Sequence, residues 1–415
     1  MNNKTSSDIF FIVLLCIITP PLFAENFHGI QAHGLADFRY IHTDSDNQNN
    51  TDFSKFSEGG ANRDLFRVNE AALTLQGRLG WSWTGSITAK YGHNAKNPVD
   101  ISEAVLFFKP VSTSPWRVNA RLGSFYAPIS LENTSTAWTS PYTLTSSAIN
   151  SWVGEELKTF GGEATVGYHL ESGDHVDFFG AGFGNNDTAG TLLAFRGWRM
   201  HDYEATILDG FKLPNPAHIQ SIFTRQSLTT QPFAEVDGRA GYYAGFNLER
   251  PDAVKFRTLY YDNRANPTVV ENGQYGWHTR FVSAGLKVIL PFQLTLIEQS
   301  MLGNTQMGGL VGNHAAIDVN FWAHSLLLSK KIIEGHRISV RYDIFGTHKN
   351  DEIVQNPNAE NSHAWTANYN WTLFTHHQFN FEVTTSTSDV TARTLQTINP
   401  SQHETLWQIG YRVFF

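Results

Sequence analysis

The sequence predicts an all-β protein: a single transmembrane antiparallel up-and-down β-barrel. Three observations carry this: strand-period alternation repeated along the chain, turns of two very different lengths, and an alternating segment that runs to the final aromatic residue. The alternation is clearest from Trp81 to Tyr91, where Trp81, Trp83, Ile87, Ala89 and Tyr91 share one face and Ser82, Thr84, Ser86, Thr88 and Lys90 share the other. About 11 residues is the length of a tilted membrane strand. The same pattern sets Ile338, Val340, Tyr342 and Ile344 against Arg337, Ser339, Arg341 and Asp343. It also sets Val254, Phe256 and Tyr260 against Lys255 and Arg257, and Phe379, Phe381 and Val383 against Gln378, Asn380 and Glu382.

The turns fix the count. Short connections near Gly80, 110–115, 171–173, 250–252, Pro291, 332–335 and 374–375 alternate with long polar ones near 43–65, 94–100, 127–157, 185–237, 265–274, 304–315, 350–361 and 389–402. Seven short turns and eight long loops require sixteen strands with both termini on the short-turn side. The strands are expected to begin near His28, Phe66, Trp81, Ile101, Trp116, Thr159, Asp174, Gly238, Ala253, Tyr275, Phe292, Ala316, His336, Asn361, His376 and Gln402. A further hairpin within 185–237 would make eighteen. Short periplasmic turns and long extracellular loops are the asymmetry of an outer-membrane barrel.

The ends and the composition agree with that class. Lys4, the apolar run Ile9–Ile18, Pro20, Pro21 and Ala24 read as a secretory signal cleaved after Ala24, leaving 25–415 as the barrel. The only cysteine, Cys16, falls in the removed part, which excludes disulfide and thiolate chemistry from the mature chain. A net charge of −8 argues against nucleic acid as a partner. The 17 histidines show no metal-ligand spacing, so neither metal nor cofactor is expected. At the other end, Trp407, Ile409, Tyr411, Val413 and Phe415 alternate with Glu404, Gln408, Gly410 and Arg412. Such a terminal strand resembles the signal read by the barrel-assembly machinery of the outer membrane.

Sixteen strands enclose an aqueous channel, whereas eight would be filled by side chains. Charge is costly on the lipid face, so the expected pore lining is Arg117, Asn119, Arg121, Lys255, Arg257, Arg337, Arg341 and Asp343. The 127–157 loop carries large apolar groups that a solvated loop does not need. It is expected to fold inward and narrow the lumen, with Glu132, Trp138, Tyr142, Trp152, Glu155, Glu156 and Lys158 at the constriction. An outer lid packed on neighbouring loops is the alternative, and 185–237, with Arg196, Trp198, Arg199, His201 and Asp202, is a second lid candidate.

The stretch Arg121-Leu-Gly-Ser-Phe-Tyr-Ala-Pro-Ile-Ser-Leu-Glu-Asn, ending at Asn133, resembles the phosphate-selective porin group, whose members carry a similar phrase before a long inward loop. The resemblance implies a porin fold, that loop placement and a homotrimer. Anion-selective members line the pore with Lys and Arg, whereas this chain is acidic and has no Lys cluster, so phosphate selectivity is not carried over. The function expected is passive diffusion of small hydrophilic solutes or anions across the outer membrane, with lipid around the barrel. A closed structural or adhesive barrel is the alternative. An outer-membrane hydrolase using His175 with Asp177, or Asp318 with His324, is the weaker one, because no Gly-x-Ser-x-Gly or His-Glu-x-x-His phrase supplies its chemistry and no enzyme is expected.

Overall fold

The computed structural model describes residues 29–45, 53–56, 64–93 and 96–415. The proposed signal and its cleavage point lie outside these residues, as do parts of two of the expected long loops. Sixteen antiparallel strands close into one barrel, each hydrogen-bonded to its neighbours in sequence. They are β1 (Ile30–Thr43), β2 (Asp64–Arg78), β3 (Trp83–Gly92), β4 (Val99–Phe108), β5 (Trp116–Tyr126), β6 (Lys158–His169), β7 (His175–Gly184) and β8 (Gly241–Arg250). The second half comprises β9 (Val254–Asp262), β10 (His278–Leu290), β11 (Leu294–Val311), β12 (His314–Ile333), β13 (His336–Lys349), β14 (Glu360–Leu373), β15 (His377–Val390) and β16 (Ser401–Phe414). Every strand begins within three residues of its expected start. Among the described residues no helix is long and apolar enough to cross a membrane.

Closure joins the two ends of the chain. β1 pairs with β16 from Leu35 opposite Phe414 to Thr43 opposite Leu406. The backbone of Phe415 exchanges hydrogen bonds with Gly34 at 2.8 and 3.1 Å. Trp407 and Ile409, about half exposed, stand on the outer face. Closure leaves no unpaired strand edge, which is the condition for crossing hydrocarbon with strands.

The 185–237 region keeps to the expected sixteen strands, and one long loop departs from the expected layout. The 185–237 region adds no barrel strands: β7 and β8 pair directly, Phe183 opposite Gly241, and the region holds two short helices and the short strand pair Phe211–Lys212 with Thr229–Thr230. The 304–315 loop is instead a protruding hairpin, because β11 and β12 continue to Val311 and His314. Gly303, Asn304, Gly308 and Gly309 hide its alternation in the sequence. Its Met307, Ile317 and Val319 are buried against Leu192, Phe195 and Trp277, so packing rather than local propensity extends these strands.

The outer face is mostly apolar, with a polar cluster in the middle of the wall. Glu298 and Ser300 alternate outward on β11, opposite the inward Ile297, Gln299 and Met301, and the Ser300 hydroxyl bridges Glu298 and His324 Nδ1. Leu326, outward on β12 and 47% exposed, is a plain lipid contact by comparison. Leu326→Arg is expected to destabilise folding into lipid vesicles by about 2–4 kcal/mol, read by equilibrium denaturant titration.

Candidate functional site: the barrel interior

The interior is built around the chain between β5 and β6. Residues 127–157 leave the wall at Tyr126 and cross the lumen. Polar wall side chains meet this segment from several directions. Asn368 donates to the Tyr142 carbonyl at 2.9 Å, Arg412 to that of Ser140 at 3.1 Å and Lys90 to that of Ala137 at 3.3 Å. Glu382 accepts the backbone N–H groups of Leu144 and Thr145 at 2.5 and 2.8 Å. The Leu131 N–H donates to Gln299 of β11 at 3.2 Å, so the segment touches strands on opposite sides of the barrel.

Its anchor is a buried carboxylate. Glu132 accepts from Arg341 Nη1 at 2.6 Å, from the Asn150 side chain at 2.7 Å, and from the Thr143 hydroxyl and the Ser147 N–H, each at 3.2 Å. The last contact places negative charge at the start of α1 (Ala148–Glu156), where the Ser147 side chain caps the Asn150 N–H. Arg341 also bonds Asp343 at 2.7 Å and the carbonyls of Thr145 and Ser146 at 2.7 and 3.0 Å. Arg341 and Asp343, expected in the aqueous lining, do point inward but are fully buried beneath this segment. Desolvating the ions in such a cluster is tolerable only because each is multiply bonded.

α1 then drives Trp152 into an aromatic nest. Its ring lies edge-on to Phe321, Phe281 and Trp198 at 5.1, 5.7 and 5.8 Å. Inward Phe183, Tyr261 and Phe281 stack in sequence at 5.1 and 4.7 Å. This half of the interior, toward the long loops, is dry. Trp138 stacks on Tyr126 at 4.5 Å, while Tyr142 packs with Leu131, Ile297 and Leu327.

The loop after β7 enters the barrel as well, rather than covering it from outside. Arg39 binds both Asp37 and Asp202, and Lys90 bridges Glu70 and Glu204 at 2.7 and 2.9 Å. Trp198 donates to the Gly346 carbonyl at 2.9 Å, and Lys158 donates to that of Ala205 at 2.6 Å. The two inserted segments are also tied to each other. Glu155 accepts from Arg196 at 3.0 and 2.5 Å and lies 3.1 Å from His201. Glu156 accepts the N–H groups of Gly190 and Leu192, at the start of α2 (Thr191–Arg196), at 3.1 and 3.0 Å. Burial opposes ionisation of both acids. Arg196 and His201 outweigh it at Glu155, which is held below the usual carboxylate range. At Glu156 burial wins, and its pKa is pushed up to about 7 despite the bonds from Leu192 and Trp152.

The wall from β5 to β10 keeps a wetter half toward the short turns. Arg121 pairs with Glu163 at 2.8 Å and Lys255 with Glu249 at 2.6 Å, each cation still 20% or more exposed. Arg117 donates to the Ser112 carbonyl at 2.9 Å and Arg257 to Asn247 at 2.6 Å, while Arg337, away from this wall on β13, donates to Ser329 at 2.9 Å. Asn119 lies between Arg117 and Arg121 on the same inner face. Lys287 on β10, absent from the expected lining, joins this group with no ion pair among the described residues. Its inward direction follows from alternation with the outward Leu286 and Val288, a signal short enough to miss in the run Leu286–Leu290.

Arg341 is the test of how these segments are held. Removing one partner from a buried, multiply bonded ion pair costs about 3–5 kcal/mol. Arg341→Ala is therefore expected to free residues 127–157 and expose them to limited proteolysis in the folded barrel, while Arg117→Ala leaves the protease pattern unchanged.

No family model and no curated protein matches this chain. Solved structures do. The outer-membrane channel DcaP of Acinetobacter baumannii shares 11% identity at a TM-score of 0.55, covering 93% of this chain and 97% of that one. OmpT, an outer-membrane protein of Vibrio cholerae, shares 8% at 0.52 over 93% and 97%, and one of its solved forms is a trimer. An anion-selective porin from Comamonas acidovorans shares 9% at 0.50 over 93% and 99%. The protein therefore has the closed sixteen-stranded fold of bacterial outer-membrane barrels.

Proposed function

We propose that this protein is a porin that passes small hydrophilic solutes or ions, with a preference for anions. The observation that carries the reading is the uneven filling of the lumen. Two inserted segments pack against β10 to β16 and on to β1–β3, whereas the inner faces of β5 to β10 keep charged, partly exposed side chains on the short-turn half. The solute path runs along that wall past Arg117, Asn119, Arg121, Lys255 and Arg257, and residues 127–157 form the constriction. Fixed charges along a narrow polar wall select ions by sign.

The same proposal takes residues 1–24 as the cleaved export signal and the short turns as periplasmic. The alternating end of β16, closed by Phe415, is the handle for the assembly machinery, and the working form is a homotrimer in outer-membrane lipid. The chain is read as a transport protein rather than an enzyme.

The packed waist favours a second reading, a structural or adhesive barrel whose lumen stays shut. Planar-bilayer recording of the refolded protein separates the two. Stable conductance steps, with a reversal potential displaced toward the anion equilibrium under a salt gradient, are expected of the porin. Silent membranes containing demonstrably folded barrel would establish the closed reading instead.

A further inference from the structure

We infer that the wet half of the lumen holds a discrete binding site for a small organic carboxylate with an apolar body, formed by Arg257, Lys287 and the loop residues beside them. The inference rests on the transport reading and adds to it the chemical class of one solute.

The first observation is how the interior cations are balanced. Arg39, Lys90, Arg121, Lys255 and Arg341 each hold a carboxylate within 3 Å. Arg257 and Lys287 hold none among the described residues. Arg257 spends one donor on Asn247 at 2.6 Å and another weakly on the Ser130 carbonyl at 3.3 Å, which leaves part of its fork uncommitted. Among the described residues Lys287 meets the face of Tyr142, with its Nζ 5.8 Å from the ring centre, and Arg337 lies over the same ring at 5.1 Å.

The second observation is a cavity between them. A space of about 280 Å³ is bounded by Arg257 and Lys287 on the wall and by Ser130, Leu131 and Thr134 of the inserted segment, with Ile289 along one side. That volume is near the lower limit of small-molecule sites, roughly 300 Å³. The Lys255–Glu249 pair at its edge is self-neutralised, and the exposed Asp252 sits at the turn. Two cations with no carboxylate partner among the described residues therefore face one rim carboxylate. A guanidinium fork suits a planar carboxylate, and a neighbouring ammonium adds charge without demanding geometry. Ile289, 42% exposed, gives an apolar body something to cover. Inorganic phosphate would leave that surface wet, so the lining favours the organic anion.

Benzoate is the probe, and binding is read by ligand-observed NMR titration of the full-length barrel folded in detergent, with no current required. Saturable benzoate binding is expected, about tenfold or more tighter than inorganic phosphate, with neutral benzamide weaker than both. Arg257→Gln with Lys287→Gln should weaken benzoate by about tenfold or more, the charge-keeping Arg257→Lys should weaken it by less, and Arg239→Gln, on an exposed loop outside the lumen wall, should leave it at the parent value. Circular dichroism and heat-modifiable gel mobility confirm that each variant is folded. If the double variant cannot be folded, Lys287→Gln alone carries the comparison. Absence of saturable benzoate binding, phosphate binding as tightly as benzoate, or full retention of binding in the folded neutral variant would each overturn the site. A barrel that conducts yet fails these titrations loses this site and keeps its transport function.

Discussion

The interior of this barrel depends on a single buried ion cluster. Arg341 projects from β13 into Glu132, and through Glu132 it fixes the start of α1, the Thr143 turn and the Asn150 side chain. None of these groups could be buried alone, because an unpaired charge away from water costs several kcal/mol. Together they hold a 31-residue excursion of the chain inside a membrane cylinder (residues 127–157). Once that excursion is in place, Trp152 has its nest, Glu155 and Glu156 can bind the second inserted segment, and the rest of the packing follows.

The cluster also explains why the lumen is lopsided. The inserted chain leans on β10 to β16, where inward Asn368 supplies a donor and Glu382 two acceptors for its backbone. Backbone polar groups in an irregular segment must be satisfied wherever water is excluded, and this wall satisfies them. On the opposite side the wall carries Gly161, Gly167 and Gly245 among short side chains, and the charged residues there remain partly hydrated. A filled side and a wet side therefore arise from one docking event, and the wet side is where solute chemistry can act.

Much of the frame is legible in the sequence because it depends on a local rule. Alternation tells which way Val340, Arg341 and Tyr342 point, and turn lengths tell which ends of the strands belong together. What local reading misses is contact. Arg341 and Glu132 are 209 residues apart, and nothing near either residue says that one will cover the other. The 303–321 hairpin is hidden by glycines and revealed only by its packing on Trp277 and Leu192. The second inserted segment looks like a polar lid, yet Asp202 and Glu204 draw it inward to Arg39 and Lys90, which lie more than 100 residues away in sequence. Glu298 breaks the usual economy in another way: it faces outward, where Ser300 takes up part of its hydrogen-bonding capacity.

The central claim is that residues 127–157 lie docked within the folded barrel, one face sealed against the wall and one rim open to the vestibule. Thiol labelling tests it most directly, since Cys16 is the sequence's only cysteine and lies in the proposed signal. Thr134 is exposed at the vestibule, whereas Thr143 is 1% exposed beside Arg341. In refolded, signal-free protein carrying Thr134→Cys or Thr143→Cys, a bulky charged maleimide should modify the first rapidly and the second only after denaturation. Equal, rapid labelling of both in folded protein would contradict the account.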